Sequence, residues 1–190
     1  MNPLLVIVLI LLVVLVFLTL ISAFIMYNRL VAVRNHCDES WSNVNTELQR
    51  RYQLIPNLLN TVKGYATHEK DLFASVTAMR EQAASNNGTV ASQAADESQL
   101  QAALSKLMVR LEAYPDLKAN HNFLELQREL ANTENRIQAA LRFFNGNVRE
   151  NNNKVQQFPS NIIAGIGNFG LRDFFELDNP DARQAVNVQF

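Results

Sequence analysis

The chain has 190 residues, of which 48% are hydrophobic and 18% charged, with one cysteine and a formal net charge of −1. Beyond the Arg50-Arg51 pair no run of Lys or Arg appears, which excludes the basic stripe that a nucleic-acid surface needs. Cys37 alone excludes an intrachain disulfide and reads as a small buried hydrophobe on a helix.

The first element is an apolar run from Leu4 to Ile25, twenty-two positions without a charge, nineteen of them Leu, Ile, Val or Phe. As a helix it reaches ~33 Å, enough for a hydrocarbon core of ~30 Å. Its insertion is favoured by roughly 6 to 11 kcal/mol, an upper bound because residues near the ends count less. A cleaved signal peptide would need a basic start, a shorter core and a small-residue cleavage site. Only Met1, Asn2 and Pro3 precede the run, and Met26-Tyr27-Asn28-Arg29 offers no such site. The run therefore reads as a retained anchor in lipid. Arg29 and Arg34 follow it, so the positive-inside rule places the N-terminus outside and residues 27–190 in the cytoplasm.

Past the anchor, Leu30, Val33, Cys37, Trp41, Val44, Leu48, Tyr52, Ile55 and Leu59 repeat in steps of 3, 4, 4, 3, 4, 4, 3 and 4. This eleven-residue repeat favours straight or slightly right-handed packing over a left-handed coiled coil. Nothing between Tyr27 and Arg34 breaks a helix, so one rod from Leu4 to Ile55 is expected, about 78 Å long. Pro56 should kink or restart it.

A second helix is expected over Leu58–Met79, closed by the loop Ser85-Asn86-Asn87-Gly88-Thr89. A third carries Leu100, Ala103, Leu104, Leu107 and Leu111 up to Tyr114-Pro115-Asp116. A fourth carries Phe123, Leu126, Leu130, Ile137, Leu141, Phe144 and Val148, fraying at Asn151-Asn152-Asn153. Each has one apolar stripe, so each needs partners. The expectation is an all-α chain in three parts: an anchor at 1–26, an antiparallel long-helix bundle at 27–158, and an irregular apolar tail at 159–190. The tail packs on the bundle or on a neighbour, and Val186, Val188 and Phe190 alternate like a short strand.

Tests for chemistry fail. His68-Glu69 opens like H-E-x-x-H, but Leu72 stands where the second histidine must be. No glutamate is followed by His three residues later, as a di-iron bundle requires. No phosphate-binding glycine loop or G-x-S-x-G occurs, so no enzyme, cofactor or metal is assigned. Polar residues on apolar stripes are more informative. Glu69, Thr133 and Glu134 are candidates for a buried polar layer, with Arg51, Lys63 or Arg136 to offset a desolvated carboxylate. The alternative places these side chains at the solvated edge.

From Tyr27 onward the chain resembles the LemA family of bacterial membrane proteins. The residues that carry this are Tyr27-Asn28-Arg29-Leu30-Val31, Arg34-Asn35 and Trp41-Ser42, then above all Arg50-Arg51-Tyr52-Gln53-Leu54-Ile55-Pro56-Asn57-Leu58. Thr61-Val62-Lys63-Gly64-Tyr65-Ala66 and His68-Glu69-Lys70 continue it. So do Tyr114-Pro115-Asp116-Leu117-Lys118-Ala119-Asn120, Thr133-Glu134-Asn135, Phe158-Pro159 and Phe174-Phe175-Glu176. Gln53 and Asn60 stand where acidic residues are usual, and Phe144-Asn145-Gly146 replaces Tyr-Asn-Asp. The resemblance implies a single-pass anchor with a long-helix bundle and a short outer N-terminus. It brings no settled biochemical activity, though related proteins in magnetosome membrane formation hint at membrane shaping or scaffolding.

The expectation is a membrane-anchored scaffold that contacts lipid through residues 4–25 and self-associates. The alternative is an adaptor for a membrane protease or stress-signalling partner, docking through Arg50, Arg51, Tyr52, Asn57 and Lys63. An enzyme or metal-binding bundle is the weakest reading.

Overall fold

The computed structural model describes residues 3–177. Among the described residues six helices follow one another: α1 (Pro3–Val62), α2 (Lys70–Ser85), α3 (Val90–Leu111), α4 (Pro115–Lys118), α5 (His121–Gln156) and α6 (Ser160–Ile166). Among the described residues no strand occurs. The alternation of Val186, Val188 and Phe190 lies outside them.

The apolar run forms the start of α1, long and apolar enough to cross a membrane, with none of that stretch buried in the protein. Its two polar side chains satisfy themselves within the helix. The Thr19 hydroxyl donates to the Val16 carbonyl at 2.7 Å and Ser22 to the Thr19 carbonyl at 2.9 Å, as a lipid-facing helix requires. Helix α1 continues through Tyr27 without interruption.

Two compact units divide the chain. The first comprises the residues through Trp41 together with Phe144–Arg172. In it α1 and α5 run antiparallel. Trp41 meets Phe144 at 5.1 Å between ring centroids, Asn147 Nδ2 donates to the His36 carbonyl at 3.2 Å, and Val155 reaches the cluster around Leu30. The sequence suggests fraying at Asn151-Asn152-Asn153, yet α5 continues to Gln156. Those asparagines hold the returning chain instead. Asn151 Nδ2 donates to the Gly170 carbonyl at 3.1 Å, and Asn152 both donates to the Arg172 carbonyl and accepts from its amide, each at 2.9 Å.

The expected irregular tail also begins as helix α6, and it ends on a left-handed residue, Asn168 at φ 52°. The Phe169 amide then bonds back to the Ala164 carbonyl at 2.9 Å, the six-to-one bond of a Schellman cap. That cap drives Phe169 onto Leu30 and Ala164, edge-on to Tyr27 at 5.5 Å, with the Arg34 guanidinium 5.3 Å above its ring. A Cβ on Gly167 would lie 2.5 Å from the Phe169 ring. Gly167→Ala should therefore displace that ring and cost roughly 1–2 kcal/mol, read as a lower urea midpoint in chemical denaturation.

The second unit, Ser42–Phe143 with residues 173–177, is an antiparallel helical bundle. Its core includes Val44, Leu48, Ile55, Leu58, Phe73, Leu100, Leu107, Ile137 and Leu141. Thr89 caps α3 by accepting the Ser92 amide at 3.1 Å, and Asn120 accepts the Phe123 amide at 3.1 Å at the start of α5. The expected restart at Pro56 does not occur. Residues 58–62 belong to α1, the break falls at 63–69 around Gly64, and the next helix begins only at Lys70. Pro56 removes the amide that would bond to the Tyr52 carbonyl. Arg80 of α2 supplies the missing donor, its Nε standing 3.0 Å from that oxygen.

Candidate functional site

One turn of α1 carries the polar centre of the bundle. The periodic stripe passes through Tyr52 and sets Arg51 beside it, so both side chains turn inward and are buried. Arg51 donates through Nη2 to Glu97 of α3 and through Nη1 to Glu134 of α5, the latter at 2.9 Å. The Tyr52 hydroxyl donates to the same Glu97 and accepts from Gln93 Nε2 at 3.0 Å. Gln93 also reaches the Ala83 carbonyl at 3.1 Å, while Gln138 donates to Glu134 at 2.9 Å. Four helices are thereby tied to two adjacent side chains.

Glu97 is 1% exposed, so its charge depends on these donors. Burial lowers the Arg51 pKa, opposed by the Glu134 carboxylate. Burial also pushes the Tyr52 phenol from 10.0 up to about 12, and the Arg51 charge only partly opposes this. At neutral pH Tyr52 is a protonated donor with no proton to exchange. Because its folded pKa lies above the unfolded one, its stabilisation is complete below pH 10.0 and falls away towards pH 12. The unfolding midpoint should drop through that window, and Tyr52→Phe should flatten the drop relative to the native chain.

A second polar group lies elsewhere in the bundle. Glu69, 7% exposed, accepts from Arg110 Nε at 2.7 Å and from the Tyr114 hydroxyl at 3.1 Å. The Arg110 hydrogen bond holds the Glu69 carboxyl below its ordinary range. Glu69, Thr133 and Glu134 thus do not share one layer. Glu134 joins Arg51, Glu69 joins Arg110, and Thr133 is buried with no hydrogen-bond partner for its hydroxyl. Of the proposed offsetting cations, Arg51 is the one placed against a buried carboxylate, while Lys63 and Arg136 are exposed.

The five candidate docking residues do not form one face. Arg50, Asn57 and Lys63 are exposed, whereas Arg51 and Tyr52 point into the core. Lys63 borders an open apolar groove of about 670 Å³ floored by Phe73, Ala74 and Ala78 of α2. Sequence reasoning missed Glu97 and Gln93. The signal was present: stepping the α3 stripe back from Leu100 by 3 and 4 residues lands on both. It missed Arg80 because no pattern marks a donor aimed at another helix's carbonyl.

Residues 40–190 match the LemA family. The chain belongs to the LemA family. Protein LemA of Metamycoplasma hominis is 25% identical to it over 137 residues, 72% of this chain. The chain spans 63% of that relative's length. In this LemA member, several residues that carry the family resemblance take part in polar contacts of the bundle. Arg51, Tyr52 and Pro56 lie on α1, with Glu134 opposite. Glu69 meets Tyr114, and Asn120 Nδ2 donates to the Tyr65 hydroxyl at 2.9 Å.

Proposed function

We propose that this LemA member is a single-pass protein of the bacterial cytoplasmic membrane, and that it works by assembling with copies of itself rather than by catalysis. The observation that carries the reading is the division of labour along α1. Its first part is apolar but for Thr19 and Ser22, whose hydroxyls bond within the helix, and its later part turns Arg51 and Tyr52 inward to hold a bundle. Arg51 and Tyr52 both donate to Glu97, so the densest polar cluster is occupied holding helices in register. Fixed outward faces are what a scaffold needs, and the cluster supports that reading.

The reading keeps the N-terminus outside and the bundle in the cytoplasm, supported by Arg29 and Arg34 just past the apolar stretch. Crosslinking in intact membranes, followed by mass measurement in nanodiscs, should return dimers or larger assemblies of the chain. A lone monomer under both treatments would overturn self-association. For topology, Asn57→Cys should resist an impermeant thiol reagent until the membrane is opened. Labelling of intact cells would reverse the orientation.

A second reading, an adaptor for a membrane protease or stress-signalling partner, draws support from Arg50 and Asn57 exposed on α1 and from Lys63 exposed just past its end, beside the apolar groove. Changing these three to alanine should then abolish recovery of the partner at unchanged thermal stability. Retained recovery would dispose of it.

A further inference from the structure

We infer that α6 and the Phe158 corner before it form a second membrane contact, lying in the headgroup layer beside the point where α1 leaves the bilayer. The inference rests on the reading of residues 4–25 as the membrane span, and it concerns the first unit alone.

The register of the antiparallel pair sets the height. Trp41 lies against Phe144, His36 against Asn147, and Leu30 and Val31 near Val155. Each step down α1 towards the apolar run is thus matched by a step along α5, and Phe158 falls level with Tyr27. Tyr27 is two residues past Ile25, ~3 Å along the helix axis, and Leu30 is ~7.5 Å past it. The headgroup layer on one side of a bilayer is about 5–7 Å deep. Helix α6 is fixed at this height, since Ala164, Ile163 and Phe169 pack on Leu30 and Phe169 meets Tyr27.

The side-chain arrangement is the reverse of what water would favour. Ala164, the smallest apolar residue of the α6 contact, is buried against α1. Ile162 and Ile166, one turn apart on the opposite face, are 53% and 78% exposed, and Phe158 is 80% exposed. Three large apolar side chains on one short reversal make an apolar patch of the kind that marks an interaction surface. The partner that fits is the bilayer itself, because the patch is continuous in height with an apolar helix that already demands lipid. Interfacial helices bury their apolar face about 5–10 Å into the headgroup and acyl boundary, the depth available here. Exposed Arg29, ~6 Å past Ile25 along the axis, suits anionic headgroups at this level.

The test uses the full chain in a Trp41→Phe background, reconstituted at high lipid-to-protein ratio in phosphatidylcholine–phosphatidylglycerol vesicles. Single tryptophans are placed at Phe158, Ile166, Leu15 and Glu39, and quenched by lipids carrying a nitroxide at a shallow or a deep acyl position. Glu39 is exposed and fourteen residues past Ile25, ~21 Å beyond the run, so it controls for tryptophan's own attraction to interfaces. Leu15→Trp should be quenched most by the deep label, Phe158→Trp and Ile166→Trp most by the shallow label, and Glu39→Trp by neither. If Leu15→Trp is quenched while Phe158→Trp and Ile166→Trp are not, the inference falls and the span stands. If those two are blue-shifted yet unquenched, protein covers the patch, a second copy of the chain being the first candidate, and the inference is again overturned. If Leu15→Trp escapes both labels, the span reading falls, and the inference with it.

Discussion

Glu97→Gln is expected to lower the unfolding free energy by about 3–5 kcal/mol, the largest effect of any single substitution proposed for this chain. The carboxylate is 1% exposed and serves two donors at once, Arg51 Nη2 and the Tyr52 hydroxyl. Its neutral isostere leaves a buried guanidinium short of one counter-charge. The loss falls towards the lower end of the range, because Glu134 stays on Nη1 at 2.9 Å. Urea unfolding of the detergent-solubilised chain, followed by far-ultraviolet circular dichroism, gives the number. The physical cause is isolated by a companion variant in which Arg51→Met, Tyr52→Phe and Glu97→Leu are combined. Buried ionic groups replaced together by apolar ones of similar volume cost little, so this triple change should recover part of the loss, the rest being the Glu134 carboxylate left without its cation. A Glu97→Gln cost under about 1 kcal/mol would mean the cluster is solvated in practice and does not fix the bundle.

The same cluster marks the limit of what the sequence disclosed. Periodicity identifies the bundle, because every helix carries a stripe, and the lack of a helix breaker between Tyr27 and Arg34 correctly runs the apolar stretch into the bundle helix. Composition alone identified the apolar start. What failed were judgements of single residues from their usual company. Pro56 suggests a kink or restart because proline removes a donor, but no restart occurs: a donor can come from another helix, and Arg80 is 28 positions away in the chain. Asn151 and Asn152 read as fraying because asparagine competes with helical bonding. Here their amides bond outward, to the backbone of residues 170 and 172. Glu69 and Glu134 were noticed for standing on apolar stripes, yet their partners Arg110 and Arg51 are 41 and 83 residues distant. Pairings at such separations leave no trace in local spacing. Glu97 differs: extending the α3 stripe by one turn would have found it.

Arg80→Met should cost about 2–3 kcal/mol, but only while residue 56 is proline. In a regular helix the amide of residue 56 would bond to the Tyr52 carbonyl, and proline has none to give. Arg80 Nε occupies that oxygen at 3.0 Å, so deleting the guanidinium orphans a carbonyl beside a tyrosine that is 2% exposed. Pro56→Ala returns the intrahelical donor. In that background the carbonyl no longer depends on Arg80, and Arg80→Met should cost less than about 1 kcal/mol, the remainder being lost packing of its aliphatic stem. Four urea titrations, of the native chain, each single variant and the double variant, measure the coupling between two residues that touch only through a third residue's backbone. Equal costs for Arg80→Met in both backgrounds would show that the arginine acts on something other than the vacated carbonyl. A large coupling would show why α1 passes Pro56 without a break: α2 completes the hydrogen bonding that α1 cannot, and the helix and its neighbour are stable only together.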